Sequence, residues 1–502
     1  RAGDALDELK ARALLHAMAF RFEPQDYILP TAGGDSPSAR FDWTEEVLAD
    51  LQAVRLPGRD PAVVQRVGER LRRFVRDVGW AQHEQEIARA YSEHRPIFLT
   101  IRSSAAELYS LPWELLTLKS GQFIGELDGL LLRFEWPESK SAQEHPKPRL
   151  EGGRILVAWS AAAGAVPAAA HIDAIAGACA AAFHPFNPST DVVAHASMKR
   201  IVETLEDAQQ SGSPIAVLHL LCHGARAGSS FGLALDGERG SVVVDAAQLR
   251  QQLAPFAKMV RLVVLSACDS GNLGTLGNQL GSVAQTLHRC GFQSVIASRF
   301  PLSAAGSIAL TESFYGVLLH GPASLETALL AARKHLARRE ADLHQQQLDW
   351  ASLQLYACHE DGDDTRPIVF RPFRGLEAFQ PKHSRFFFGR DVELQEVLSD
   401  LKALSTSHKP QLLVIAGASG TGKSSLVLAG AVPALLKAEP HLVFRSMRPG
   451  RDPMLSLREA LNEFSGKPGI LVVDQFEEVF TQTADPAVRE AFVRELWRLA
   501  SG

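Results

Sequence analysis

Residues 260–271 read Val260-Arg-Leu-Val-Val-Leu-Ser-Ala-Cys268-Asp269-Ser270-Gly271. A run rich in leucine and β-branched residues stops at a cysteine and passes into small, polar, turn-forming residues. That pattern is a buried strand carrying a thiol to the rim of a sheet. Earlier in the chain, Ile215-Ala-Val-Leu-His-Leu-Leu-Cys-His223-Gly224 does the same with an imidazole. Two buried parallel strands that end in reactive side chains place both groups at one carboxyl edge, where open α/β sheets hold their sites. The two stretches together predict a cysteine-nucleophile dyad of Cys268 and His223.

The rest of the chain sets the context. Its 502 residues suggest roughly three domains by length alone. Hydrophobic residues make up 46% and charged ones 22%, enough apolar content for large cores. A net charge of −5 supports neither a direct nucleic-acid partner nor an anionic membrane surface. The basic runs Arg66–Arg76 and Arg333–Arg339 fall in helical patterns and read as solvated faces. The five cysteines are sparse and irregularly spaced, which speaks against a disulfide framework and for a reducing, cytoplasmic compartment. The Ala-rich stretch 157–186 is broken by Pro167, His171, Asp173 and Pro185 and fails as a membrane span. No signal peptide is visible. The start at Arg1 and the stop at Gly502 read as a fragment of a longer protein.

Periodicity gives the organisation. Pro61–Val78 is an amphipathic helix, Pro96–Arg102 a strand and Gly125–Phe134 another strand-like piece. Residues 135–153 read as a surface connection. From Arg154, strands at 155–159, 191–194, 215–223, 260–268 and 293–298 alternate with helices at 168–183, 197–210, 246–253, 278–290, 304–319 and 325–340. Residues 225–241 read as a polar excursion. Such alternation means a mostly parallel sheet covered on both faces. The acidic, turn-rich residues 359–372 read as a linker. A second α/β unit follows, with strands at 411–416, 442–446 and 469–473.

The dyad chemistry needs a thiolate, an imidazole to take its proton, and donors for an oxyanion. Gly224 lets a substrate approach the backbone closely. Its N–H and that of Cys268 are the expected oxyanion hole. Asp269 orients the site, reads a basic P1 side chain, or simply forms the turn. His219 reads as a core histidine. A zinc site from His219, Cys222 and His223 is disfavoured, because strand alternation turns the cysteine away. Cys179, Cys290 and Cys358 read as structural.

Gly417-Ala-Ser-Gly-Thr-Gly-Lys423-Ser424 fits the phosphate-binding pattern G-x-x-x-x-G-K-[ST], after an apolar run and before a helix. The expected nucleotide contacts are Gly417, Ser419, Gly420, Thr421, Gly422, Lys423, Ser424 and Ser425, with ATP or another nucleoside triphosphate as ligand. Ser424 and Asp474, the latter ending Ile470-Leu-Val-Val-Asp474, are the expected Mg²⁺ partners. Of Glu477 and Glu478, one is a candidate for orienting the attacking water. For Glu477 the alternative is a solvated acid at a helix start.

Both halves resemble known families. The His223-Gly224 and Ser-Ala-Cys268-Asp-Ser-Gly pair, with Leu111-Pro-Trp-Glu-Leu-Leu upstream and Trp350-Ala-Ser-Leu353 downstream, is similar to the CHAT domain. That is a caspase-like peptidase of the caspase, separase and gingipain clan. Leu220-Leu221-Cys222 before the histidine departs from the more usual aromatic or small residues. Phe373-Arg-Gly-Leu-Glu-Ala-Phe379, Phe386-Phe-Phe-Gly389-Arg390 and the acids Asp474, Glu477 and Glu478 resemble STAND-class NTPases, where the Gly-Arg pair lies near the nucleotide.

The resemblance implies a caspase-like, mostly parallel sheet flanked by helices over 1–358, with a less distinctive part at 1–95 and a catalytic core at 154–357. A partial P-loop NTPase over 373–502 would follow. It further implies a cysteine endopeptidase controlled by a nucleotide switch in bacterial anti-phage immunity or cell death. The protein substrate would be a gasdermin-like or other effector protein. A C-terminal region outside this chain would sense the trigger, and activation would form a homo-oligomer. The alternative is a catalytically inactive caspase-like interaction module on a signalling scaffold.

Overall fold

The structure is a computed structural model. It describes residues 25–501 apart from 29–37, 57, 77–78, 103–107, 110, 137–151, 228–229, 239, 267–276, 301, 321–322, 343–347, 358–365, 370–374, 376, 408, 463 and 465–466. The chain forms two compact units, residues 1–181 with 185–369, and residues 182–184 with 370–502.

In the first unit, a short antiparallel pair, β1 (Gln25–Ile28) and β2 (Ser38–Phe41), precedes the main sheet. The main sheet is eight-stranded. Its strands are β3 (Ile97–Arg102), β4 (Leu130–Glu135), β5 (Arg154–Trp159), β6 (Val192–Val193), β7 (Ile215–Leu221), β11 (Leu262–Ser266), β12 (Ser294–Ser298) and β13 (Leu353–Ala357). Between β7 and β11 the chain makes β8 (His223–Ala227), β9 (Ser230–Gly237) and β10 (Gly240–Asp245). Across the main sheet the order is β3-β4-β13-β12-β11-β7-β5-β6. Neighbours are parallel except at β12–β13, where two parallel blocks meet at an antiparallel seam.

The central strands carry no polar alternation because both their faces are covered. Every residue of β7, β11, β12 and β13 is buried. The Ala304–Leu319 helix packs on the Ala168–Ala181 and Leu325–Asp342 helices, and the Gly277–Arg289 helix packs on β12. Helix ends fall where the local chemistry sets them. Ser197 caps Met198–Gln210 by accepting from Arg200 N, and Asp245 caps Ala246–Leu253 by accepting from Gln248 N.

The described residues of 225–241 form no open excursion. They belong to the antiparallel sheet β8-β9-β10, with Leu233, Ala234, Leu235 and Val244 buried. Glycines and charges obscured this in the sequence, yet they serve the hairpin. Gly240 takes φ +124° at the turn. At Gly232 a Cβ would overlap the Val244 carbonyl of the neighbouring strand. The strand-like piece at 125–134 resolves into a 3₁₀ turn at Ile124–Glu126 and β4. Of residues 359–372, the described 366–369 lie in the first unit. Ile368 and Val369 are buried, Val369 bridges to Gly152, and Pro367 O accepts from Arg261.

In the second unit, β14 (Val443–Met447) and β15 (Gly469–Val473) pair in parallel. Met447, Leu457, Ala460, Val479 and Phe492 form its core. The apolar stretch 411–416 does not join this sheet. Leu412 is 42% and Val414 78% exposed, and Gln411 N donates to Ala500 O. β-branched residues favour a strand only when a neighbouring edge accepts them. Among the described residues of this unit, the sheet consists of β14 and β15.

Candidate active site and phosphate loop

β7 and β11 pair in parallel with Leu221 opposite Ser266, and Cys222 N donates to Ser266 O. The strand ends are therefore level. His223 lies two residues beyond Leu221, and Cys268 stands two residues beyond Ser266 in the sequence. Cys268, Asp269 and the glycine-rich stretch that follows lie outside the described residues. So does the Cys268 half of the expected oxyanion hole.

His223 does not end β7; it opens β8, opposite Ala234. It is buried, and its Nε2 lies 3.1 Å from the carbonyl oxygen of Ala165. A carbonyl only accepts, so Nε2 carries a ring proton, and in the neutral ring Nδ1 holds the lone pair. Gly224 is buried beside it, opposite Leu233.

The loop that fixes this ring was not singled out in the sequence. It runs from Ser160 to Val166, after β5. Ser160 N donates to Leu221 O, Ala162 N to Ser160 Oγ, and Gly164 N to Ala161 O. Gly164 takes φ +138°, and a Cβ there would stand 3.2 Å from His223 Nε2. The only signal was a glycine among small residues just past a strand end.

The remaining histidine and thiol candidates sort cleanly. His219 is fully buried, with Nε2 3.2 Å from His171 Nδ1 and Nδ1 3.0 Å from the Tyr315 hydroxyl. It is a bonded core residue, as the strand pattern indicated. Burial pushes the Cys179 thiol up to about 12, with the charge of Asp191 adding to the effect. Burial likewise pushes Cys290 up to about 11, and its thiol donates to Leu287 O. Neither supplies a thiolate near neutral pH. Cys222 is buried, and Cys358 lies outside the described residues.

In the second unit the loop 417–422 is wound by Gly420 at φ +81° and Gly422 at φ +80°. Lys423 Nζ donates to the carbonyls of Gly417 (2.8 Å) and Ala418 (2.9 Å). Thr421 Oγ1 also donates to Ala418 O. Ser424 Oγ donates to Asp474 Oδ1 at 2.6 Å. Arg390 donates to Thr421 O (2.9 Å) and pairs with Glu393. Ser425 Oγ accepts from Phe379 N. Ser419 lies exposed at the turn.

The two acids differ. Glu478 Oε2 accepts from Gly450 N at 3.1 Å, and Glu477 is exposed. The donor set fits a magnesium-bound nucleotide. A hydroxyl and a carboxylate suit a hard cation. The ammonium of Lys423 rests on weak carbonyl partners that phosphate oxygens can replace.

A mostly parallel α/β unit with a buried histidine past a strand end, together with a phosphate-loop unit, is the class these features define. Residues 75–357 match the family model of the CHAT domain, more than half of the chain, and the chain belongs to that family. Residues 372–502 match the model of novel STAND NTPase 1. Among solved structures, one similar chain is the Arg-specific cysteine proteinase gingipain R. It shows 10% identity and a TM-score of 0.32, over 64% of this chain and 74% of that one. Another is the complex of RgpB pro- and mature domains from Porphyromonas gingivalis. It shows 11% identity and a TM-score of 0.35, over 64% and 77%. Likenesses this distant carry no further argument. No curated protein matches the chain. Among the described residues, no helix is long and apolar enough to cross a membrane.

Proposed function

We propose that this chain is a caspase-like cysteine endopeptidase governed by a nucleotide-dependent switch. The observation that carries the reading is the level pairing of β7 with β11, Leu221 opposite Ser266. It supports a meeting of His223 and Cys268 at one sheet edge. His223 Nδ1 accepts the Cys268 thiol proton, and the thiolate attacks the scissile carbonyl carbon. The N–H groups of Gly224 and Cys268 hold the oxyanion. His223 returns the proton to the leaving amine as the C–N bond breaks. Water, deprotonated by the same nitrogen, then cleaves the thioester and frees the thiol.

The CHAT and STAND matches together support regulation of one unit by the other. ATP or another triphosphate with Mg²⁺ would supply the charge that the loop residues answer. Lys423 would bind the outer phosphates, and Ser424 with Asp474 would hold the metal. Arg390 holds the loop through Thr421 O. A cytoplasmic role in anti-phage immunity or cell death follows from this reading. So do a homo-oligomeric active form, a trigger sensed outside this chain, and a gasdermin-like or other effector protein as target.

The test compares wild type, Cys268→Ala and Lys423→Ala for cleavage of candidate targets and of the chain itself. Both variants are expected to lose triggered cleavage. Proteolysis that survives Cys268→Ala intact sinks the mechanism.

A further inference from the structure

β14 and β15 run in parallel with Met447 opposite Val473. The next residue on each strand is therefore level with the other at the carboxyl edge. These two residues are Arg448 and Asp474, and Asp474 N donates to Met447 O. Arg448 Nη2 lies 3.6 Å from Asp474 Oδ2, while the other carboxylate oxygen accepts from Ser424 of the phosphate loop. One carboxylate thus receives a guanidinium and the loop hydroxyl together.

The segment that presents Arg448 is held from several sides. Gly450 takes φ +60°, its N–H donates to Glu478 Oε2, and its carbonyl accepts from Thr483 Oγ1. Pro449 O accepts from Ser456 Oγ. Glu478 is therefore engaged in holding this loop. The Arg448 side chain itself is 57% exposed.

We propose that Arg448 reads the terminal phosphate and so distinguishes a nucleoside triphosphate from a diphosphate at this site. The proposal rests on the nucleotide-binding reading above. Were a divalent cation to bind Asp474, the guanidinium beside it would be a like charge next to that cation, and its hold on the carboxylate would weaken. It is then free for a phosphate oxygen, which it binds through a fork of N–H donors. A triphosphate carries more negative charge than a diphosphate, beyond what Lys423 and the metal answer. Arg448 follows the last residue of β14 and reaches the same carboxylate as the loop hydroxyl of Ser424, whereas Arg390 is already engaged with Thr421 O and Glu393.

The experiment measures binding of ATP, its non-hydrolysable imido analogue and ADP, each with Mg²⁺, to the full chain and to Arg448→Ala and Arg448→Lys. Arg448→Ala is expected to weaken both triphosphates about 10- to 100-fold and leave ADP unchanged. Arg448→Lys should restore part of the difference. An unchanged ATP-to-ADP ratio in Arg448→Ala overturns the inference. So does an equal loss for both nucleotides, which would make Arg448 a structural clamp on Asp474. If the wild-type chain binds neither nucleotide, the underlying nucleotide reading falls and takes this one with it.

Discussion

His223 Nε2 lies 3.1 Å from Ala165 O, and Gly164, the residue before that carbonyl, meets the ring so closely that a Cβ there would press on Nε2 at 3.2 Å. The bond selects the tautomer that leaves Nδ1 with the lone pair, the nitrogen that the proposed dyad uses as its base. Gly164→Ala puts a methyl group 3.2 Å from Nε2 at a φ of +138° that alanine resists. With His223 as the base of the proposed dyad, misplacing it by a fraction of an ångström should cut kcat/KM about 10- to 100-fold. Steady-state kinetics on a cleaved peptide, run well below the melting temperature, check this. Wild-type kcat/KM in Gly164→Ala would show that the loop does not set the ring.

The buried histidines predict an acid-sensitive first unit. Burial drives His171 down to about 4, and burial together with neighbouring His171 drives His219 well below its usual value. Their partners are the hydroxyls of Ser307, Thr311 and Tyr315. Folded, both rings stay neutral where the unfolded chain, with ordinary values near 6.5, takes up protons. Between pH 6.5 and about 4 the unfolded state binds more protons, so stability falls as pH falls. Each ring contributes a slope of about 1.4 kcal/mol per pH unit within its window. Denaturant titrations across that range should show a shallower slope in His219→Gln than in wild type. Identical slopes would rule out a contribution from His219.

Glu114, from the Leu-Pro-Trp-Glu stretch, is fully buried 3.6 Å from Arg299. Burial raises its carboxyl value, and the charges of Arg299 and Arg333 pull it back. Arg299 also donates to the carbonyls of Tyr109 and Leu111. Glu114→Ala leaves buried guanidinium charge uncompensated and should cost about 3–5 kcal/mol. The double change Glu114→Leu with Arg299→Met should recover part of that by removing both charges. A loss under about 1 kcal/mol, the range of an exposed pair, would contradict the buried-pair account.

Gly68 sits inside the Pro61–Arg76 helix, where propensity alone favours alanine by about 1 kcal/mol. A Cβ there would overlap Leu115 O and Thr117 Oγ1, and Thr117 N donates to Gly68 O. Gly68→Ala is therefore expected to destabilise by about 1–3 kcal/mol through overpacking. Calorimetric melting gives the sign directly. A rise in Tm would mean the helix can back away from the Leu-Pro-Trp-Glu segment.

Much of this protein was legible in one dimension. Continuous apolar runs such as Ile215–Leu221 and Leu262–Ser266 announce strands buried on both faces, because only covered strands dispense with polar alternation. Gly417–Ser424 announces a phosphate loop, because the need for positive φ and for a lysine and a hydroxyl is written in residue types. His219 was recognisable as core because its strand neighbours are all apolar.

What required the folded chain were relations between distant segments. The bond from His223 to Ala165 joins residues 58 apart in sequence, through a loop whose residues are individually bland. The β8-β9-β10 sheet hid among glycines whose purpose appears only when a second strand lies against them. The stretch 411–416 has strand composition but lies outside the sheet, because composition does not provide a neighbouring edge. Arg448 was unremarked in sequence and gained meaning only from the register of β14 with β15. Residue types determine which chemistry a chain can hold; pairing register and loop closure, set by packing, decide which of those groups meet.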